Sequence, residues 1–110
     1  WLYELDWRTP VDGGKWGSPH SLCLPFVFDN VAMSASMVGT GPEAQTIADQ
    51  MSNAWLAFAR TGDPNHKGVP KWAPYDRTAR TTMVFDTPAK AVRDHRGEER
   101  MLLASLAPKT

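Results

Sequence analysis

One cysteine, Cys23, stands in 110 residues, so no disulfide can form within the chain and the redox compartment stays open. Neither sign of charge is in excess. Twelve Lys and Arg balance twelve Asp and Glu, which leaves no electrostatic footprint for nucleic acid or for an anionic membrane surface. No apolar stretch approaches the roughly 20 residues that a membrane-spanning helix needs. The opening residues, WLYELDWR, carry no basic n-region, no apolar h-region and no initiating Met. They read as the interior of a longer chain rather than as a signal peptide. Internal repeats, low-complexity tracts and interdomain linkers are absent too, and the length fits one small domain or a piece of a larger one.

What is present is apolar and aromatic. Hydrophobic residues make up 42% of the chain, enough for a packed core, and five Trp with nine Pro point to a rigid, loop-rich piece with aromatic anchors. Residues 1–7, rich in aromatics and loosely alternating, predict a strand that Thr9-Pro10 and Asp12-Gly13-Gly14 end. Lys15 to Leu24 reads as loop, and Pro25 to Phe28 as a buried extended or one-turn segment. The strongest periodicity lies in residues 42–62. Ala44, Ile47, Ala48, Met51, Trp55, Phe58 and Ala59 fall at helical spacing, Pro42 suits a first turn, and Gly62 suits the left-handed position past the end. On this pattern Trp55 is a core anchor, and Trp7, interleaved with strand residues, is core as well. Lys71 to Tyr75 forms a short Trp/Pro segment, Thr81 to Phe85 reads as a strand, and Glu98 to Leu106 as a final helix with apolar Met101, Leu102 and Leu106. The mixed-sign run from Arg93 to Arg100 reads as a solvated face.

Chemistry concentrates in GSPHSLCLPFVFDN, Gly17 to Asn30. His20 sits on a Gly17-Ser18-Pro19 turn, after a strand and ahead of an apolar anchor, so it can be fixed in place and still be reached. An imidazole, with an ordinary pKa of about 6.5, takes and returns a proton at neutral pH. A capping or surface role is the plainer reading of a lone loop histidine. A base also needs a nucleophile, and no Gly-x-Ser-x-Gly elbow occurs. Ser18 and Ser21 lie close by, without such a turn around them. Either His20 is inert or its nucleophile lies outside these residues. Cys23 would need His66 or His95 from distant loops to build a metal site, with no ligand spacing to support it. It reads instead as a small half-buried side chain, and no metal is expected.

Taken in order, these segments resemble the C-terminal end of the type-B carboxylesterases, the α/β-hydrolases that include cholinesterases and bacterial para-nitrobenzyl-type esterases. The likeness runs through LYELDW, the Gly-x-x-His turn at Gly17 to His20, and Leu24-Pro25-Phe26-Val27-Phe28. It continues through Met51, Ala54-Trp55, Phe58-Ala59 and Gly62-Asp63-Pro64-Asn65, then Trp72-x-Pro74-Tyr75-Asp76, and ends in Met83-x-Phe85. It covers about residues 1–90.

The resemblance implies an α/β fold class, with residues 1–110 forming the C-terminal segment of an α/β-hydrolase domain rather than a complete one. The strand at 1–7 would be among the last of a large central sheet, and the helix around Trp55 would pack back on it. It implies that His20 is the histidine of a Ser-His-Glu/Asp triad acting on a small-molecule ester without a cofactor. The serine, the acidic member and the glycine oxyanion loop would come from an upstream portion of the same enzyme, so the piece alone would be inactive. Where the family usually carries an acid three residues after the histidine, this chain has Cys23. A strand exposed at residues 1–7 also implies strand-mediated self-association of the isolated piece. Two other functions stay open beside the esterase: a non-catalytic hydrolase-like interaction module and a Trp-rich carbohydrate-binding module. The second should be nearly all β, against which the helix at 42–61 already counts.

Overall fold

The computed structural model describes residues 1–109. Three short strands form one sheet, in the order β1 (Tyr3–Leu5), β2 (Thr82–Phe85), β3 (Lys90–Val92). β1 and β2 run parallel, with Tyr3 opposite Met83 and Leu5 opposite Phe85, while β2 and β3 run antiparallel. β2 lies in the middle and is buried along its whole length, as the apolar, β-branched run TMVF requires. The predicted strand at 1–7 is shorter than expected. The amides of Asp6 and Trp7 both donate to Phe85 O, at 3.0 and 3.3 Å, so the ladder stops there and the chain turns away. Trp7 is nevertheless buried, edge-on to Phe26 at 5.4 Å.

Between the first two strands lie the helices α1 (Cys23–Val27), α2 (Ala35–Val38) and α3 (Glu43–Thr61), the fourth, α4 (Gly97–Leu106), following β3. The one-turn alternative for 25–28 is the one observed: Pro25 and Phe26 are buried, but Phe28 points outward. α3 begins beside Pro42 and closes on Gly62, whose left-handed φ of 80° lets its amide reach Phe58 O at 2.7 Å. Ala44, Ile47, Ala48, Met51 and Ala54 face the core, where Leu22, Phe26, Val38, Met83 and Phe85 meet them.

Trp55 departs from the expected core position, being 48% exposed, with Phe58 at 50%. α3 is roughly 28 Å long at 1.5 Å per residue, whereas the strands span only about 10–13 Å at 3.3 Å per residue. At the end of the helix Trp55 meets only the ring of Tyr3, edge-on at 6.5 Å, and Phe58 the ring of Trp1, edge-on at 6.2 Å, so this end of the apolar stripe is partly covered. Of the other tryptophans, Trp72 is buried and Trp1 and Trp16 are exposed. The apolar side chains of α4 are exposed as well, so the final helix forms without the packing its leucines suggest.

Candidate active site

The loop that carries His20 leaves the C-terminal end of β1 and is tied down at both sides. Thr9, itself buried, donates its hydroxyl to Met37 O at 2.6 Å, and its amide donates to Gly17 O at 2.9 Å. Gly17 is buried with φ 64°, a conformation that glycine adopts without strain. Ser18 then donates its hydroxyl to the carbonyl of Leu5, the last residue of β1, at 3.0 Å. On the far side the Leu22 amide donates to Pro19 O at 3.2 Å, and the Leu22 side chain is sunk in the core. Ser21, with φ 69°, turns the chain between these ties.

His20 therefore projects from a short bridge whose two ends are fixed. Its side chain is exposed and accepts or donates no hydrogen bond among the described residues. The serines near it offer no activated nucleophile. Ser18 is engaged with β1, and Ser21 stands on the bridge itself, with no strand leading into it.

Cys23 opens α1 and packs half-buried against the core. His66 is occupied structurally. Gly68 N donates to its Nδ1 at 3.1 Å, which makes Nε2 the protonated nitrogen facing Gln50 O at 3.0 Å. The sequence does not bring Cys23, His66 and His95 together.

What it does bring together was not read from the sequence. Glu4 points to the sheet face opposite Tyr3, Asp6 follows just past the end of β1, and the turn before α4 places His95 and Arg96 against them. Arg96 Nη2 lies 2.9 Å from Glu4 and His95 Nε2 lies 3.4 Å from it. The run from Arg93 to Arg100 is thus not simply a solvated face. Ligand atoms of Glu4, Asp6 and His95 come within 4.8 Å of one another, but the guanidinium of Arg96 already supplies the positive charge there. Burial, then the shared hydrogen bond and like charge of Glu4, push the Asp6 carboxyl above its ordinary range. Burial would raise Glu4 too, but the Asp6 hydrogen bond, Arg96 and His95 together hold it below its ordinary range.

The signs give a test. A carboxyl whose pKa is raised by folding costs stability when ionised, and the cost is relieved as pH falls from its folded pKa to its unfolded one. Asp6→Asn should therefore raise the thermal midpoint at pH 7, with an advantage over wild type that shrinks as pH falls toward the ordinary aspartate value of about 4. An advantage of equal size at both pH values, or none at pH 7, would contradict this.

Similar proteins bear on the whole constellation. The model of the carboxylesterase family matches residues 1–103. The para-nitrobenzyl esterase of Bacillus subtilis is 30% identical over 105 residues, covering 94% of this chain and 21% of that protein. The phenmedipham hydrolase of Pseudarthrobacter oxydans is 30% identical over 97 residues, covering 84% and 20%. Among solved structures, a Geobacillus stearothermophilus carboxylesterase superposes with a TM-score of 0.74 at 39% identity, over 92% of this chain and 21% of that one. An esterase of Clostridium hathewayi superposes with a TM-score of 0.80 at 27% identity, over 94% and 20%. The chain spans about a fifth of the length of the relatives it matches.

Proposed function

The chain belongs to the carboxylesterase family, and from that premise we propose that it contributes the general acid–base histidine, His20, of a serine esterase whose other catalytic groups lie in the remaining four-fifths or so of a longer protein. The observation that carries the proposal is the placement of His20, exposed at the carboxyl end of a parallel strand and tied at Ser18 and Leu22. In open α/β sheets, sites form at that end of the strands. Residues 1–110 are then the C-terminal segment of an α/β-hydrolase domain, and a carboxylic ester is the substrate class.

In this reading the imidazole accepts the proton of a serine hydroxyl as the serine oxygen bonds to the ester carbonyl carbon. The tetrahedral oxyanion collapses, the bond to the alcohol breaks, and the imidazolium gives that proton to the departing alkoxide. Water then attacks the acyl-enzyme, His20 taking its proton and passing it to the serine oxygen as the acid leaves. The rigid bridge matters because a base must stand within hydrogen-bond reach of the oxygen it serves. Of the donors that would stabilise the oxyanion, none is proposed in this chain.

The isolated chain should accordingly hydrolyse short-chain nitrophenyl esters no faster than free imidazole does, since a base alone does not stabilise the oxyanion. Saturable turnover by the pure chain, abolished by a serine-directed phosphonate, would overturn this and point to Ser18, Ser21 or another serine within it.

The exposed indoles do not favour the sugar-binding alternative. Trp55 meets Tyr3 edge-on at 76° and Trp1 meets Phe58 edge-on at 72°, so the rings offer a cleft rather than a flat stacking platform.

A further inference from the structure

The backbone leaves the sheet after Trp7, whose amide still donates to Phe85 O, and must then present His20 at a fixed place. One buried side chain holds the start of this excursion. Thr9 is 2% exposed. Its hydroxyl donates to Met37 O at 2.6 Å and accepts from the Val11 amide at 3.3 Å, so its one proton and a lone pair are both engaged. Its own amide donates to Gly17 O at 2.9 Å, three residues before His20. Thr9 thus faces two ways, its side chain toward α2 and its backbone toward the bridge that carries the histidine.

α2 is a firm anchor for such a strut. It is a single turn, and Met37 O is one of the last carbonyls of a helix, which have no partner inside it. The Thr9 hydroxyl supplies that partner. Val38, the next residue, is 1% exposed and belongs to the same core as Leu22 and Phe26. Gly39 then passes so close to the strut that a Cβ there would come 3.0 Å from Pro10 Cγ. The tie from Ser18 to Leu5 O is exposed, so water competes for both of its groups. A donor removed at buried Thr9 is not replaced in that way.

We propose that Thr9 is a positioning residue of the esterase reaction: its hydroxyl, fixed on α2, holds the backbone whose amide sets Gly17, and so sets where the His20 imidazole stands toward the serine it serves. The inference rests on the reading of His20 as the base. Proton transfer needs the two atoms within hydrogen-bond reach, and a misplacement of about 1 Å can lower a rate about 100-fold. Thr9 is buried away from any substrate, so ground-state binding should not depend on it.

Steady-state kinetics on the complete esterase test it with two variants. Thr9→Val keeps the shape and removes the hydroxyl, whereas Thr9→Ser keeps the hydroxyl and removes the methyl. Each is assayed well below its thermal midpoint, so that folded enzyme is compared with folded enzyme. Thr9→Val should lower kcat at least about tenfold with KM within about twofold, and Thr9→Ser should stay within about threefold of wild type. In the His20→Gln background Thr9→Val should lower kcat no more than about twofold further, because the base it positions is gone. Where Thr9→Val does not fold, Thr9→Ala removes the same donor with less bulk to misfit, and the same pattern is expected of it. Wild-type kcat in the variants without the hydroxyl, beside a large loss in His20→Gln, would overturn the positioning role and leave the base in place. An equal loss from Thr9→Val in both backgrounds would also overturn it, since Thr9 would then act through some other group. Normal kcat in His20→Gln would reject the reading of the base, and the positioning role with it.

Discussion

His20→Gln in the complete esterase should lower kcat by at least about a thousandfold, because the serine loses its base and the departing alcohol its acid. The loss should fall on kcat rather than on KM, since a histidine that only moves protons adds little to ground-state binding. Thermal stability should change little. His20 is exposed and hydrogen-bonded to nothing among the described residues, and the loop is held by Ser18 and Leu22 on either side of it. Near-normal kcat in the variant would return His20 to the plainer role of a turn residue.

A second large effect is expected on the helix that follows His20. Phe26 is fully buried, stands edge-on to Trp7, and lies on α1, which packs on α3. Phe26→Ala should cost about 3–5 kcal/mol, the usual loss for a large buried aromatic whose cavity closes only partly. Phe28 is two residues further on but 72% exposed, and Phe28→Ala should stay within about 0.5 kcal/mol. Denaturant unfolding of the two variants measures the contrast. Comparable losses would mean that α1 is oriented differently, and with it the anchor that follows His20.

The contrast between these two phenylalanines marks how far the sequence can be read. Spacing placed α3 within a residue or so, because Pro42, the apolar stripe and Gly62 are all local signals. The turn around His20 was equally legible, since Gly17, Pro19 and the apolar run after it act within a few residues of one another. Periodicity told that Trp55 lies on the apolar stripe, but not that only the edge of the Tyr3 ring would meet it there. That depends on a contact between residues distant in the sequence. β3, three residues long beside Pro88, is too short for any pattern to mark. The contact of Glu4 and Asp6 with His95 and Arg96 joins positions about ninety apart. Only the i, i+2 spacing of the two acids hinted at it, since the predicted strand at 1–7 would put both on one face. The same limit applies to the site: the position of a base can be read locally, whereas its nucleophile must be sought elsewhere in the protein.

That nucleophile gives the most direct measurement. The complete esterase and its His20→Gln variant would be treated with a fluorophosphonate, and the labelled residue located by mass spectrometry while the rate of labelling is followed. Rapid labelling of one serine outside residues 1–110 in the wild type is expected, slowed at least about 100-fold in the variant because the serine is no longer deprotonated as it attacks. Equally fast labelling in both proteins, or labelling of Ser18 or Ser21, would contradict the assignment of His20 as the base that serves a distant serine.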